Sequence, residues 1–399
     1  MIFFSTRDLR VGYGQKTVVR DIDVDLRKGE ILCLLGPNGC GKSTILKTII
    51  DHIRRLGGSI TVLGKDINQL SLKDRAKEMS IVLTEKIAPD TMSAEEVVAM
   101  GRYPYTNYFG KLTERDWQII DEAIDIVDGQ GLRYKEFKSL SDGEKQRIMI
   151  ARAICQQADI MVLDEPTSYL DIRFKVDLLN VLARLSLEKK KTIIMSLHEI
   201  DLVPKIADKV MLIKDGQIYG YGTPEDVITD DSIREAYGLN GYSFNTTLGN
   251  IELPRIKKPP KVFVVGGGGQ ATKIYRALNK KGIGFYSGIL FKNDIDYSSS
   301  KILAQQTIAE EGFVEIGYEK VEKSKELIRH CQIVIDSGVS LKGINRGNYE
   351  LLRFAKKEGI RILSLREEEM DLGLINHSSI SSLLKQLEDI IYDTEVKNG

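Results

Sequence analysis

Cysteine is scarce in these 399 residues, and neither sign of charge dominates. The four cysteines, Cys33, Cys40, Cys155 and Cys331, show no Cys-x-x-Cys spacing. Neither a disulfide framework nor a zinc site is expected, and a reducing compartment fits. Lys plus Arg and Asp plus Glu both count 57, so no basic excess draws the chain onto nucleic acid, which is not an expected partner. No apolar run approaches the roughly 20 residues that span a bilayer. The start, Met1 to Arg10, lacks the apolar stretch of a secretory signal. Any role at a membrane is therefore expected to come through a partner.

What is present is alternation, over a length that suits two domains. Residues 1 to about 240 alternate short β-rich runs with helical stretches, as at Glu30 to Leu35, Ile160 to Leu163 and Thr192 to Leu197. Each of these runs leads into a chemical motif, which predicts a largely parallel sheet with ligands at the strand C-terminal ends. At Pro254-Arg-Ile-Lys-Lys-Pro-Pro260 proline and positive charge replace apolar periodicity, and the linker is placed there. Beyond it, Lys261 to Val265, Gly284 to Leu290, Cys331 to Ile335 and Ile360 to Leu363 read as strands, and Ile380 to Tyr392 as a final helix. The expected fold class is α/β, with one domain over residues 1–255 and a doubly wound, Rossmann-like one over 256–399.

Gly36-Pro37-Asn38-Gly39-Cys40-Gly41-Lys42-Ser43 follows the apolar run Ile31 to Leu35 and opens a helical run from Thr44. It matches the phosphate-loop pattern G-x-x-x-x-G-K-[ST]. Glycines let backbone N–H groups close around phosphates, and the helix N-terminus adds its positive dipole end. Lys42 reaches the β- and γ-phosphates, and Ser43 offers a hydroxyl to Mg²⁺. Ile160 to Leu163 ends in Asp164 and Glu165, and paired acids at a strand end suit metal and water handling. Asp164 is assigned to Mg²⁺ and Glu165 to the attacking water as general base.

Leu140-Ser141-Asp142-Gly143-Glu144-Lys145-Gln146-Arg147 precedes that strand. Ser141 and Glu144 make an S-x-x-E capping box, and a helix N-terminus with a free Ser hydroxyl is also an anion site. The segment resembles the LSGGQ signature of ABC ATPases, departing from it at Asp142 and Glu144. Other residues match the family in order. Tyr13 resembles the aromatic that stacks on adenine, Ser168-Tyr-Leu-Asp171 the D-loop, and His198 the switch histidine at the γ-phosphate. Where the family has Gln after the strand Ser80 to Leu83, this chain has Glu85, a carboxylate that can face Mg²⁺ but lacks an amide donor.

The resemblance covers about residues 2 to 240 and implies an ABC cassette with antiparallel β and helical subdomains, the latter at about 86–158. It implies ATP and Mg²⁺ as cofactors, and ATP sandwiched between two copies of the chain, with Ser141 closing over the nucleotide of the opposite copy. Met100-Gly-Arg-Tyr-Pro-Tyr-Thr106, Gly222 to Ile228 and Ile233 to Gly238 resemble subunits that power import of iron-siderophore, haem or cobalamin complexes. That resemblance implies a homodimer under two permease subunits at the cytoplasmic face of the membrane, with a substrate-binding protein on the far side. Residues 86 to 110 are where the permease is expected to press. An exporter motor, or a bifunctional protein with its own chemistry in the second domain, stays open as the alternative.

In the second domain Gly266, Gly268 and Ala271 give G-x-G-x-x-A between a strand and a helical run. This suits a nucleotide-like ligand with its pyrophosphate at a helix N-terminus. Asp294 or Asp296 is the matching acid, and Asp336-Ser-Gly338 ends another strand on the same edge. No nucleophile and base pair marks it as an enzyme. A ligand-sensing, a structural and a catalytic role all remain open.

Overall fold

A computed structural model describes residues 2–83, 91–368 and 370–398, and two compact units emerge, Met1–Gly238 and Leu239–Gly399. Glu85 lies outside the described residues.

The first unit opens with β1 (Ile2–Tyr13) and β2 (Lys16–Arg27), which form an antiparallel hairpin. Then come β3 (Ile31–Leu35), α1 (Lys42–Ile49), β4 (Gly57–Val62) and β5 (Lys65–Asp66). These strands make a four-stranded antiparallel sheet, β2-β1-β4-β5, that excludes β3. The helical subdomain follows α2 (Leu72–Glu78) and β6 (Met79–Val82), with α3 (Ala94–Ala99), α4 (Glu114–Ile126) and α5 (Asp142–Cys155). The rest of the unit is β7 (Ile160–Leu163), α6 (Ile172–Leu187), β8 (Thr192–Ser196), β9 (Lys209–Lys214), β10 (Gln217–Gly222), α7 (Pro224–Val227) and α8 (Asp230–Ala236).

The main sheet runs β10-β9-β3-β8-β7-β6, parallel except for the β9–β10 hairpin. Every residue of β3, β7 and β8 is buried. Strands covered on both faces cannot alternate, so they read as continuous apolar runs. With β3, β8 and β7 adjacent and parallel, their C-terminal ends fall on one edge, spaced by about 4.8 Å per strand.

The second unit begins with β11 (Ser243–Asn245) and β12 (Asn250–Glu252), a small hairpin. It continues through β13 (Val262–Val265), α9 (Thr272–Lys280), β14 (Phe285–Phe291), α10 (Ile295–Leu303), β15 (Gln306–Glu310), α11 (Tyr318–Arg329), β16 (Ile333–Asp336), α12 (Arg346–Lys357), β17 (Arg361–Ser364), β18 (Leu374–Asn376) and α13 (Ile380–Asn398). Its six-stranded parallel sheet runs β15-β14-β13-β16-β17-β18, so the strand order reverses between β13 and β16 as in a Rossmann-like sheet.

The boundary expected at 255/256 falls instead at Gly238. Residues before the proline-rich segment already belong to the second unit, because Arg276 on α9 forks onto Glu252 of β12. The Glu252 side chain is 5% exposed, so this carboxylate is held almost dry by one guanidinium. Glu252→Ala in the fragment 239–399 should cost roughly 1–3 kcal/mol, the range for hydrogen bonds to charged groups. Urea unfolding measures it, and an unchanged midpoint would return the hairpin to the linker.

Candidate functional site

The phosphate loop leaves β3 and closes at Gly41, the N-cap of α1. Gly41 has φ 111°, and a Cβ there would sit 2.4 Å from Val19 Cγ2, so glycine is demanded by both backbone and space. Lys42 is buried, and its ammonium donates to Gly36 O at 2.7 Å and Pro37 O at 3.0 Å across the loop. Gly36 N donates to Tyr237 Oη at 3.1 Å. Burial pushes that phenol up to about 12, which keeps it neutral and able to accept. Tyr237 stands just after α8, and no local pattern announces its place at the loop.

On the same sheet edge β7 ends in Asp164, which is fully buried. Ser196, the last residue of β8, donates from Oγ to Asp164 Oδ1 at 2.8 Å and accepts from Glu165 N at 2.9 Å. One hydroxyl thus fixes both acids. Glu165 takes a positive φ of 49°, and its Oε1 lies 2.5 Å from His198 Nε2 while Oε2 accepts from Ser168 Oγ at 3.2 Å. The next residue, Glu199, accepts from Thr167 Oγ1 at 2.9 Å and pairs with Lys175 on α6. Burial raises Glu199, but Lys175 and Thr167 outweigh it and hold the carboxyl below its usual range. Ser196, Tyr237, Thr167 and Lys175 were not legible as site residues. The first hides as a polar end to an apolar strand, and the others arrive through tertiary packing.

The capping box is present at α5. Glu144 N donates to Ser141 Oγ at 3.3 Å, and Glu144 Oε2 accepts from Ser141 N at 2.8 Å. The Ser141 hydroxyl is not free, since it donates to Glu144 Oε2 at 2.9 Å. Those same bonds, first from the Ser141 N–H and then from its hydroxyl, hold the Glu144 carboxyl below its usual range. Gly143 lies against Tyr169 O, with 3.2 Å left for a Cβ. Asp171 caps α6 by accepting from Phe174 N at 2.9 Å. Tyr13 ends β1 with more than half its surface exposed.

The glycine loop of the second unit differs from expectation. Asp296 is fully buried and its Oδ2 accepts from Gly267 N at 3.2 Å and Ala271 N at 2.9 Å. Its Oδ1 accepts from Thr272 N at 2.8 Å and Thr272 Oγ1 at 2.7 Å, and Asp294 Oδ2 accepts from Gly268 N at 2.6 Å. The N–H groups expected to hold a pyrophosphate are satisfied by the chain's own carboxylates, whose charge repels another anion. Asp336 is likewise committed, to Arg366 at 3.0 and 3.2 Å, Ser364 Oγ at 2.8 Å and Gly338 N at 3.0 Å. Of the positions expected to hold a nucleotide-like ligand, Gly266, Gly268, Ala271, Asp294 and Asp336, the amides of Gly268 and Ala271 and both carboxylates are engaged internally. These residues build an internal lock.

Two outcomes follow from this geometry. Asp296→Asn puts an amide donor among loop donors and should destabilise fragment 239–399 by about 2–4 kcal/mol. Pyrophosphate and nicotinamide dinucleotides should leave the melting temperature of the unaltered fragment unchanged, and a stabilising shift would refute the lock. Burial pushes the Cys40 thiol up against the opposing pull of Lys42, so little thiolate forms near neutral pH. Alkylation at Cys40 should therefore accelerate as pH rises past the ordinary thiol range and be slowed by ATP, and Cys40→Ala should abolish it. Cys33, Cys155 and Cys331 are buried, with thiols raised chiefly by that burial.

Comparison with known proteins adds identity to this geometry. The model of the ABC transporter family matches residues 19–168, and that of the MJ0874 family matches residues 285–393. An ABC transporter ATP-binding protein of Methanocaldococcus jannaschii is 45% identical over 276 residues, 69% of this chain and 95% of that one. The iron(3+)-hydroxamate import ATP-binding protein of Bacillus subtilis is 36% identical over 236 residues, 59% of this chain and 88% of that one. A solved metal-chelate type ABC transporter in an inward-facing conformation aligns with TM-score 0.53 and 30% identity, covering 59% of this chain and 89% of that one. The glycine loop, the paired acids, His198 and the helix capped by Ser141 thus sit in a cassette whose relatives match nearly end to end, and the chain belongs to the ABC transporter ATP-binding proteins, a family of ATPases.

Proposed function

We propose that this ATPase energises an importer for an iron-siderophore, haem or cobalamin-type complex, as a homodimer docked on two permease subunits at the cytoplasmic face of the membrane. The observation that carries the chemistry is the Glu165–His198 contact at 2.5 Å on the sheet edge that also bears the phosphate loop. The transport class rests on the relatives named for import and on the metal-chelate type neighbour.

In this reading Lys42 exchanges the carbonyls of Gly36 and Pro37 for phosphate oxygens. The donor set suits Mg²⁺, since a Ser43 hydroxyl and one buried carboxylate, Asp164, leave room for phosphate and water oxygens. Among the described residues no group of three or more His, Cys, Asp or Glu is placed to hold a metal ion. When bound, Mg²⁺ neutralises charge on the β- and γ-oxygens. Glu165 orients the attacking water and receives its proton, while His198 holds the carboxylate and reaches the γ-phosphate. Ser141 of a second copy completes the site, which makes nucleotide the adhesive between copies.

For the permease, a groove of about 990 Å³ is lined in part by Met79, Met100, Tyr103, Pro104 and Tyr108. Tyr103, Tyr108 and neighbouring Phe109 are 75%, 98% and 87% exposed, an aromatic surface of the kind interfaces favour. This supports the docking region expected at residues 86 to 110, of which 86–90 lie outside the described residues. No described helix is long and apolar enough to cross a membrane, so attachment through a permease accounts for a membrane role.

Glu165→Gln should lower kcat by at least about a hundredfold, in the range of a lost general base, while ATP binding survives and a dimer persists on gel filtration. Ser196→Ala should lower kcat by about ten- to a hundredfold through misplaced acids, with KM little changed. Steady-state ATPase assays decide, and wild-type turnover in Glu165→Gln would overturn the assignment.

A further inference from the structure

Between α1 and β4 the chain turns through Asp51 to Leu56 and borders a polar pocket of about 640 Å³. His52, Arg54 and Arg55 line it with Gly57 and Asn68. The Arg10 guanidinium lies against Gly57, where a Cβ would stand 2.5 Å from Nη2 and 2.6 Å from Nε. An overall balance of 57 against 57 conceals this local concentration of positive charge.

Two carboxylates stand nearby, and each is taken. Arg55 Nη2 donates to both oxygens of Asp66, at 3.3 and 3.0 Å. Asp51 pairs with Arg75. Arg55 is thereby held with its other terminal nitrogen, Nη1, buried and without a hydrogen-bond partner. A buried charged donor left unsatisfied bears its full desolvation cost. Arg10 and Arg54 have no ion pair among the described residues.

Guanidinium N–H groups arranged as forks match the oxygens of phosphate, and their charge does not titrate away. The geometry points to a second anion site on the first unit, in which Arg10, Arg54 and His52 hold a phosphate-class oxyanion beside the Asp66-paired Arg55. The pocket shares Asp51 and His52 with the larger aromatic groove, so the phosphate belongs either to a soluble anion or to a lipid head group at that surface. The site stands apart from the phosphate loop and does not depend on the transport assignment.

Isothermal titration of inorganic phosphate into the full chain tests it, in a Lys42→Ala background that removes the phosphate loop's own cation. Arg10→Gln and Arg54→Gln, at side chains without ion pairs, should each weaken binding about tenfold, as expected for a lost charge-assisted hydrogen bond, with unchanged thermal melts. Flotation with phosphatidylcholine vesicles containing phosphatidylglycerol separates the sources. Retention of the parent chain but not of the double variant assigns a lipid head group. No retention, or equal retention of both, assigns a soluble oxyanion. Absent phosphate binding, or affinity unchanged by both substitutions, overturns the site.

Discussion

One serine hydroxyl organises the chemistry of the first unit. Ser196 Oγ donates to Asp164 and accepts from the backbone of Glu165, so both acids at the end of β7 are referenced to the same atom on β8. The same strand carries the chain on to His198, which returns to Glu165. Because β8 lies between β3 and β7, parallel to both and like them fully buried, the phosphate loop inherits that reference as well. The precision of the site is therefore the precision of three adjacent strands packed tightly on both faces.

The chain contains two glycine loops at strand ends, and their different fates show how little a glycine pattern decides. In the first, Lys42 bonds loop carbonyls and the Cys40 sulfur, contacts that phosphate oxygens can replace. In the second, Asp296 supplies a carboxylate to the loop amides from the first turn of α10. It also sits at the N-terminal end of α9, so two helix dipoles favour the same charge. The result is cohesion of α9 and α10 around a fixed anion, and cohesion of that kind excludes exchange.

What could be read from the sequence follows from how local each signal is. β3, β7, β8, β13 and β16 were legible because both faces are covered and each runs into a motif. β15, with Gln306, Thr307 and Glu310, and β18, with only Leu374 to Asn376, carry too little apolar pattern. The unit boundary was misplaced because β11 and β12 are three residues each and are tied in by Arg276, which lies 24 residues beyond Glu252. The capping box at Ser141 was a local pattern and could be read directly. Its occupied hydroxyl could not, since the rotamer of Glu144 decides that. Asp294 and Asp296 were legible as acids belonging to the second glycine loop, yet whether they face a ligand or replace one depends on how β14 and α10 return to it.

Tyr237 carries a mechanical implication. Its phenol receives the backbone N–H of Gly36, and Gly238, one residue later, closes the first unit. The exit of the chain is thus a handle on the phosphate loop, a single rigid side chain in length. A pull at this end reaches Gly36 through one ring, whereas a pull at Ile2 is spread along twelve residues of β1 and their hairpin before it nears the nucleotide site.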